Sequence, residues 1–350
     1  MNDQSAEPCE IRDVGLARNG RSRFWCVTHR ADATGTGGVP LAQCKGDHQP
    51  STAGRSIEFD PSDYPGGVAL WGSVAPVFDT TPLSERSGVH VHARKNATGK
   101  KDIDSTYDIV KFSYRRDLIE DGHATIDGGV AVAYYIARFV GNDVECLFCT
   151  YCGNPHADTD IYAVNPHRKH LCHACGKFFS AESRGVSNPL ALLAKHRGAD
   201  ACQSPSLSVK TLDVAQGDYP GGIQIWASNP AIVWLADRPE ESGIHVHAYG
   251  ADGRRLEDDT FGSVAIDGIP LEIEEVAYLM AQRSMPSLLG KVTTVVCRNC
   301  KADIFDKGRE AFEPRREHKC ECGELTILEP RALFVSNPLI RKLHVLKGGK

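Results

Sequence analysis

Residues 63–93 read DYPGGVALWGSVAPVFDTTPLSERSGVHVHA, and residues 218–248 read DYPGGIQIWASNPAIVWLADRPEESGIHVHA. Asp63-Tyr-Pro-Gly-Gly, Trp71 and Gly88-Val-His-Val-His-Ala thus return in order as Asp218-Tyr-Pro-Gly-Gly, Trp226 and Gly243-Ile-His-Val-His-Ala. Working outward, Ile126-Asp-Gly returns as Ile266-Asp-Gly, and Val186-Ser-Asn-Pro-Leu as Val335-Ser-Asn-Pro-Leu. Motifs kept in one order over such a distance predict a tandem duplication rather than a solenoid, with residues 57–198 and 209–350 as the two copies. Ala199–Ser208 (ADACQSPSLS), small and Ser/Pro-rich, is the expected linker, and residues 1–56 form an N-terminal segment. The spacing drifts around Lys111–Thr125, where the first copy carries extra residues that we expect in a loop.

Within each copy the pattern predicts an α+β unit: a small β domain, a helix and a cysteine-rich ribbon. Val68–Trp71 and Ile223–Trp226 are short apolar runs, and Val89–Ala93 alternates with the period of a half-buried strand. Turn residues at Asn96–Gly99 and Gly250–Gly253 then suggest hairpins. Helices are expected over Val130–Val140 and Leu271–Arg283, the latter with Glu272, Glu274 and Glu275 where the helix dipole favours acids. The two tryptophans are expected to fill cores.

The chain has 350 residues, 41% of them hydrophobic and 24% charged, a globular composition that excludes fibrous and disordered classes. Its net charge of −5 gives no whole-molecule positive field, so any nucleic-acid contact must be local. The opening MNDQSAEPCE lacks the basic start of a secretory signal, and Val130–Ala137 is too short an apolar run to span a bilayer. A cytoplasmic protein without membrane contact is expected. An odd cysteine count of 13 argues against a complete disulfide framework and for metal thiolates.

Cys149-x2-Cys152 and Cys172-x2-Cys175 are separated by nineteen residues, as are Cys297-x2-Cys300 and Cys320-x-Cys322. Two such knuckles close a tetrahedral Zn2+ site, so two zinc ions are expected. Gly153, Gly176 and Gly323 follow the knuckles and free the backbone to turn its amides toward sulfur. His170 and His318 stand two residues before Cys172 and Cys320, where they could be ligands or support one. The string Cys149-x2-Cys-Gly…His170-x-Cys-x2-Cys-Gly-Lys-Phe-Phe resembles zinc ribbons of transposases and of small phage and bacterial proteins. That resemblance covers some 30 residues of each copy and implies a zinc-ribbon fold without a particular activity. The frame is also similar to the zinc knuckles of HNH nucleases, but nineteen residues leave little room for their catalytic hairpin and helix. Cys26-x2-His29 and Cys44-x3-His48 offer a third possible zinc site, of two thiolates and two imidazoles.

His90 and His92, like His245 and His247, are two apart on predicted strands, so both rings of a pair project from one face. This suits two ligands of one metal, or a catalytic base and its neighbour. An open catalytic site would need a further ligand, for which Asp63, Asp218, Asp104 or Asp108, and Asp258 or Asp259 are in comparable regions. The cupin pattern, with a glutamate soon after His-x-His, is absent. Pro166-His-Arg-Lys-His170 and Pro314-Arg-Arg-Glu-His318 put positive charge on both ribbon hairpins, which could dock on phosphate backbones. Two functions follow: a zinc-binding adaptor for nucleic acid or protein, or a metal-dependent hydrolase or nuclease using the paired histidines.

Overall fold

The computed structural model describes residues 55–82, 87–96, 100–116, 120–196, 206–229 and 240–349, together with three strands nearer the N-terminus. The chain divides into two compact units, Met1–Arg55 and Ser56–Lys350. In the first, β1 (Ile11–Leu16), β2 (Ser22–Cys26) and β3 (Ala31–Asp32) form an antiparallel sheet. Cys26 ends β2, but its side chain and His29, Cys44 and His48 lie outside the described residues, as does that candidate zinc site.

The second unit is mixed α+β, mostly strand. It begins with β4 (Ser56–Phe59), β5 (Gly67–Ser73), β6 (Phe78–Asp79), β7 (Gly88–Arg94) and β8 (Ile103–Tyr107). A hairpin of β9 (Ile109–Arg116) and β10 (Glu120–Ile126) leads into α1 (Gly128–Phe139), then β11 (Val144–Glu145), β12 (His167–Leu171), β13 (Phe178–Ser187) and α2 (Leu190–His196). A comparable series follows: β14 (Thr211–Val214), β15 (Gly222–Ser228), β16 (Gly243–Tyr249), β17 (Arg255–Phe261), β18 (Ser263–Ile266), β19 (Ile269–Leu271) and α3 (Ile273–Arg283). It closes with β20 (Val292–Thr293), β21 (Glu317–Lys319), β22 (Leu325–Ile327), β23 (Val335–Ser336) and α4 (Leu339–Leu346).

Each histidine strand is central in its sheet, β7 between β5 and β8, β16 between β15 and β17. Alternation sends Val89, Val91 and Ala93 into the core, leaving His90 and His92 half-buried on the opposite face, and β16 repeats this with Ile244, Val246 and Ala248. The extra residues at Lys111–Thr125 lengthen a hairpin rather than a loop: β9 and β10 pair continuously from Val110↔Ile126 to Arg116↔Glu120.

Strand β6 pairs with β15, through Phe78↔Ile225 and Asp79↔Gln224, so both halves contribute to one four-stranded sheet. Phe78 is wholly buried in a core that joins Val132, Tyr135 and Ile136 of α1 to Ile223, Ile225, Ile244 and Leu279. Burying one such side chain contributes roughly 1.5–3 kcal/mol, and here it ties the halves together. Gly72 lets α1 lie flat on β5, since a Cβ there would sit 2.7 Å from the Val132 backbone nitrogen. The matching Ile-Asp-Gly motifs diverge. Asp127 caps α1 by accepting from Val130 N at 2.9 Å, whereas Asp267 adopts φ 49° in a turn and accepts from Gln216.

Candidate metal centres

In the first ribbon Cys149 and Cys175 sulfurs are 3.7 Å apart and Cys152 and Cys172 3.6 Å. In the second, the Cys297–Cys322 and Cys300–Cys320 separations are 3.6 and 3.5 Å. A disulfide needs about 2.05 Å. Four sulfurs at roughly 2.3 Å from a tetrahedral ion stand about 3.8 Å apart, so each set can hold a metal ion with zinc geometry. Gly153, Gly176 and Gly323 have φ of 71°, 71° and 88°, the left-handed turn expected of them. Burial pushes the Cys149 thiol up, but the Tyr151 and Cys152 amides directed at it prevail and bring it down to about 6.

His170 and His318 do not join these thiolates. Both are fully buried and face a buried aspartate: His318 Nδ1 is 2.9 Å from Asp306 Oδ2, and His170 Nδ1 is 3.3 Å from Asp158 Oδ1. In both rings Nε2 is buried without a hydrogen-bond partner, which assigns the proton to Nδ1, where it is donated to the carboxylate. The same carboxylates accept the backbone amides of Ser187 (2.7 Å) and Ser336 (2.6 Å). This explains the Val-Ser-Asn-Pro-Leu motifs. Their serines bolt the ribbon to the sheet. Their asparagines donate to Val130 O and Glu275 O, at 2.9 and 3.1 Å, and accept from Leu190 N and Leu339 N at the next helix.

The paired histidines meet a third group from the adjacent strand. In the β7–β8 register His92 stands opposite Asp104 and His90 opposite Thr106; in β16–β17 His247 stands opposite Asp258 and His245 opposite Thr260. Facing residues of an antiparallel pair share a side of the sheet, so three ligand atoms converge. His90 Nε2 and His92 Nε2 are 2.9 Å apart, and Asp104 Oδ1 lies 3.4 and 3.2 Å from them. The second triad gives 2.9, 3.5 and 3.3 Å. Ligands roughly 2.1 Å from one ion stand about 3.0 Å apart at right angles and about 3.4 Å at the tetrahedral angle, so both triads fit one ion each.

The remaining ring nitrogens are already engaged, which turns Nε2 toward the ion position. His90 Nδ1 and His245 Nδ1 meet Thr106 and Thr260 hydroxyls at 2.9 and 3.1 Å. His92 Nδ1 meets Glu240 Oε1 at 3.0 Å, whereas His247 Nδ1 meets the Tyr249 hydroxyl at 3.4 Å. Burial, with the neighbouring His92 imidazole, brings His90 down to about 4, the neutral form a metal requires. Burial also lowers His245, prevailing over its hydrogen bond to Asp258. Hydrogen bonds from His245 and His247 hold Asp258 well below the usual carboxylate range.

Both triads open on one cleft of about 770 Å³. Trp71 and Trp226, expected in cores, are only partly buried and stand edge-on to His92 and His247 at 4.6 and 4.9 Å, and Trp226 also packs against the core. Each indole also crosses between halves: Trp71 Nε1 donates to Ser228 Oγ and Trp226 Nε1 to Val74 O. Of the candidate acids the structure selects Asp104 and Asp258; Asp63 and Asp218 sit in short 3-10 turns, and Asp259 pairs with Lys210 at 2.7 Å. Lys101, Arg255, Thr106, Thr260 and Glu240 were not anticipated. The first four were legible, because Lys101-x2-Asp-x-Thr106 returns as Arg255-x2-Asp-x-Thr260. Comparison with protein-family models, curated proteins and solved structures found no match for this chain.

Proposed function

We propose that this chain is a metal-dependent hydrolase built from two copies of one unit, residues 57–198 and 209–350, with a structural zinc in each ribbon and a reactive metal at each His-x-His strand. The observation that carries it is the repeated convergence of two imidazoles and one carboxylate on a single point at the wall of a shared cleft. Thiolate sites closed by four protein ligands are structural, whereas three ligands leave a coordination position for water or substrate. Asp104 and Asp258 are about half exposed, at 51 and 50%, so water reaches both centres. A divalent ion bound there would supply Lewis-acid chemistry, activating water at neutral pH. The protein's part is to hold His90, His92 and Asp104, or His245, His247 and Asp258, in fixed tautomer and orientation.

Metal analysis of the purified full chain tests this. His92→Ala and His247→Ala should each remove one ion while the ribbon ions stay, and each should lower hydrolysis of bis(p-nitrophenyl) phosphate or p-nitrophenyl acetate. A metal content unchanged by either substitution would sink the assignment.

A second reading, the nucleic-acid adaptor, is favoured by the first ribbon. Phe178 and Tyr151 are 54 and 61% exposed, with Lys169 Nζ over one ring at 4.5 Å and Lys177 Nζ over the other at 4.9 Å. Aromatic faces beside cations can stack the bases of a single strand. Phe178→Ala should weaken a salt-sensitive gel shift with single-stranded DNA or RNA; absence of any shift at low salt would remove this reading.

A further inference from the structure

Resting on the hydrolase reading, we infer that the cleft takes a multiply charged phosphoanion, such as a ligand with two phosphoryl groups, and takes it only when metal is bound. The argument is one of charge. Arg94, Lys101, Lys210 and Arg255 bring four positive charges to the cleft wall. The two triad aspartates, Asp259, Glu240 and Glu241 bring five negative ones. With neutral imidazoles the described residues of the cleft wall therefore contribute −1, and an anion gains nothing there by entering. Two divalent ions change the balance to +3, in a concave site whose walls concentrate the field.

The placement of the cations supports the same conclusion. Each triad aspartate turns Oδ1 to its histidines and Oδ2 to a base three residues earlier: Lys101 Nζ lies 3.0 Å from Asp104 Oδ2, and Arg255 Nη1 lies 2.6 Å from Asp258 Oδ2. Lys101 Nζ is also 3.1 Å from His92 Nε2. An ammonium and a guanidinium thus stand beside the two ion positions, at the same place in both triads. Once an ion neutralises the aspartate, the base beside it is released to donate to an anionic oxygen, and Arg is suited to phosphate in particular. Two such positions lining one cleft match a ligand carrying more than one anionic group better than a single small anion. A cleft of about 770 Å³ lies within the range that encloses a ligand of nucleotide size.

The test is calorimetric titration of the metal-loaded full chain with pyrophosphate, inorganic phosphate and succinate, beside metal analysis of the same samples. Pyrophosphate should bind the loaded wild type more tightly than phosphate or succinate, and should not bind the His92→Ala/His247→Ala variant. Lys101→Met and Arg255→Met should keep the metal content and each weaken pyrophosphate binding about tenfold to a hundredfold, the usual loss for one charge-assisted hydrogen bond. If metal analysis finds no ions that depend on His92 and His247, the hydrolase reading falls and this inference falls with it. If those ions are present but pyrophosphate binds equally well without them, equally to succinate, or undiminished in the Lys101 and Arg255 variants, this inference alone is overturned.

Discussion

Replacing Glu240 by Gln separates the two triads, because this carboxylate stands behind His92 of the first. Glu240 Oε1 accepts from His92 Nδ1 at 3.0 Å and from Arg94 Nη2 at 3.2 Å. Burial pushes this carboxyl up, but His92, with Lys101 and Arg94, prevails and holds it below the usual glutamate range, so it is ionised at neutral pH. A carboxylate bonded to Nδ1–H raises the basicity of Nε2, and its loss at metal-bound histidines costs roughly 10–100-fold in metal affinity, about 1.4–2.8 kcal/mol. In the second triad His247 leans on the Tyr249 hydroxyl, itself 3.2 Å from Gln224 Oε1, and has nothing to lose from the substitution. Competition with a chelator of known affinity, followed in wild type and Glu240→Gln, should therefore show one cleft ion weakened by that factor and the other unchanged. Urea denaturation of the same samples checks that the loss of Arg94's partner has not simply loosened the fold. Equal weakening of both cleft ions, or of neither, would refute the role given to Glu240.

Three further outcomes can be measured directly. Asp306→Ala strands the Ser336 amide, His318 and Arg315, the last 2.6 Å from the carboxylate, and should cost about 3–5 kcal/mol in urea unfolding; a loss under 1 kcal/mol would contradict a bolting role. Gly72→Ala drives a methyl against the Val132 backbone and should destabilise by about 1–3 kcal/mol, read as a lowered Tm, whereas an unchanged Tm would mean that α1 shifts freely. In the metal-free chain His90 should stay neutral at pH 5.5, because burial and the neighbouring His92 bring it down to about 4, which its ring signals in an NMR titration would check. A midpoint for that ring near 6.5, the ordinary histidine value, would refute the perturbation.

Local patterns carried much of this protein into view from residues alone. Period-two alternation placed His90 and His92 on one face of a strand, cysteine spacing assembled both thiolate sets, and glycines after the knuckles announced left-handed turns. Each depends on neighbours within a few residues or on covalent geometry, which sequence states outright. The extra stretch at Lys111–Thr125 forms strands and not a loop: Phe112, Tyr114 and Ala124 alternate into the core, a period-two signal that the difference in length between the halves obscured.

What tertiary structure alone decided is which distant groups meet. Asp104 rather than Asp63 completes a triad because β8, not the turn before β5, lies in register against β7. Glu240 reaches His92 from the other half of the chain, a contact no spacing rule encodes. Trp71 faces the cleft because β5 presents it on the histidine side, opposite His90. His170 turns to Asp158 rather than to the cysteine sulfurs, joining His156 and the Ser187 amide around one buried carboxylate that must be paired. Sequence set the residue types and their faces; packing of the halves through Phe78 and β6 gave the two His-x-His strands one cleft to share.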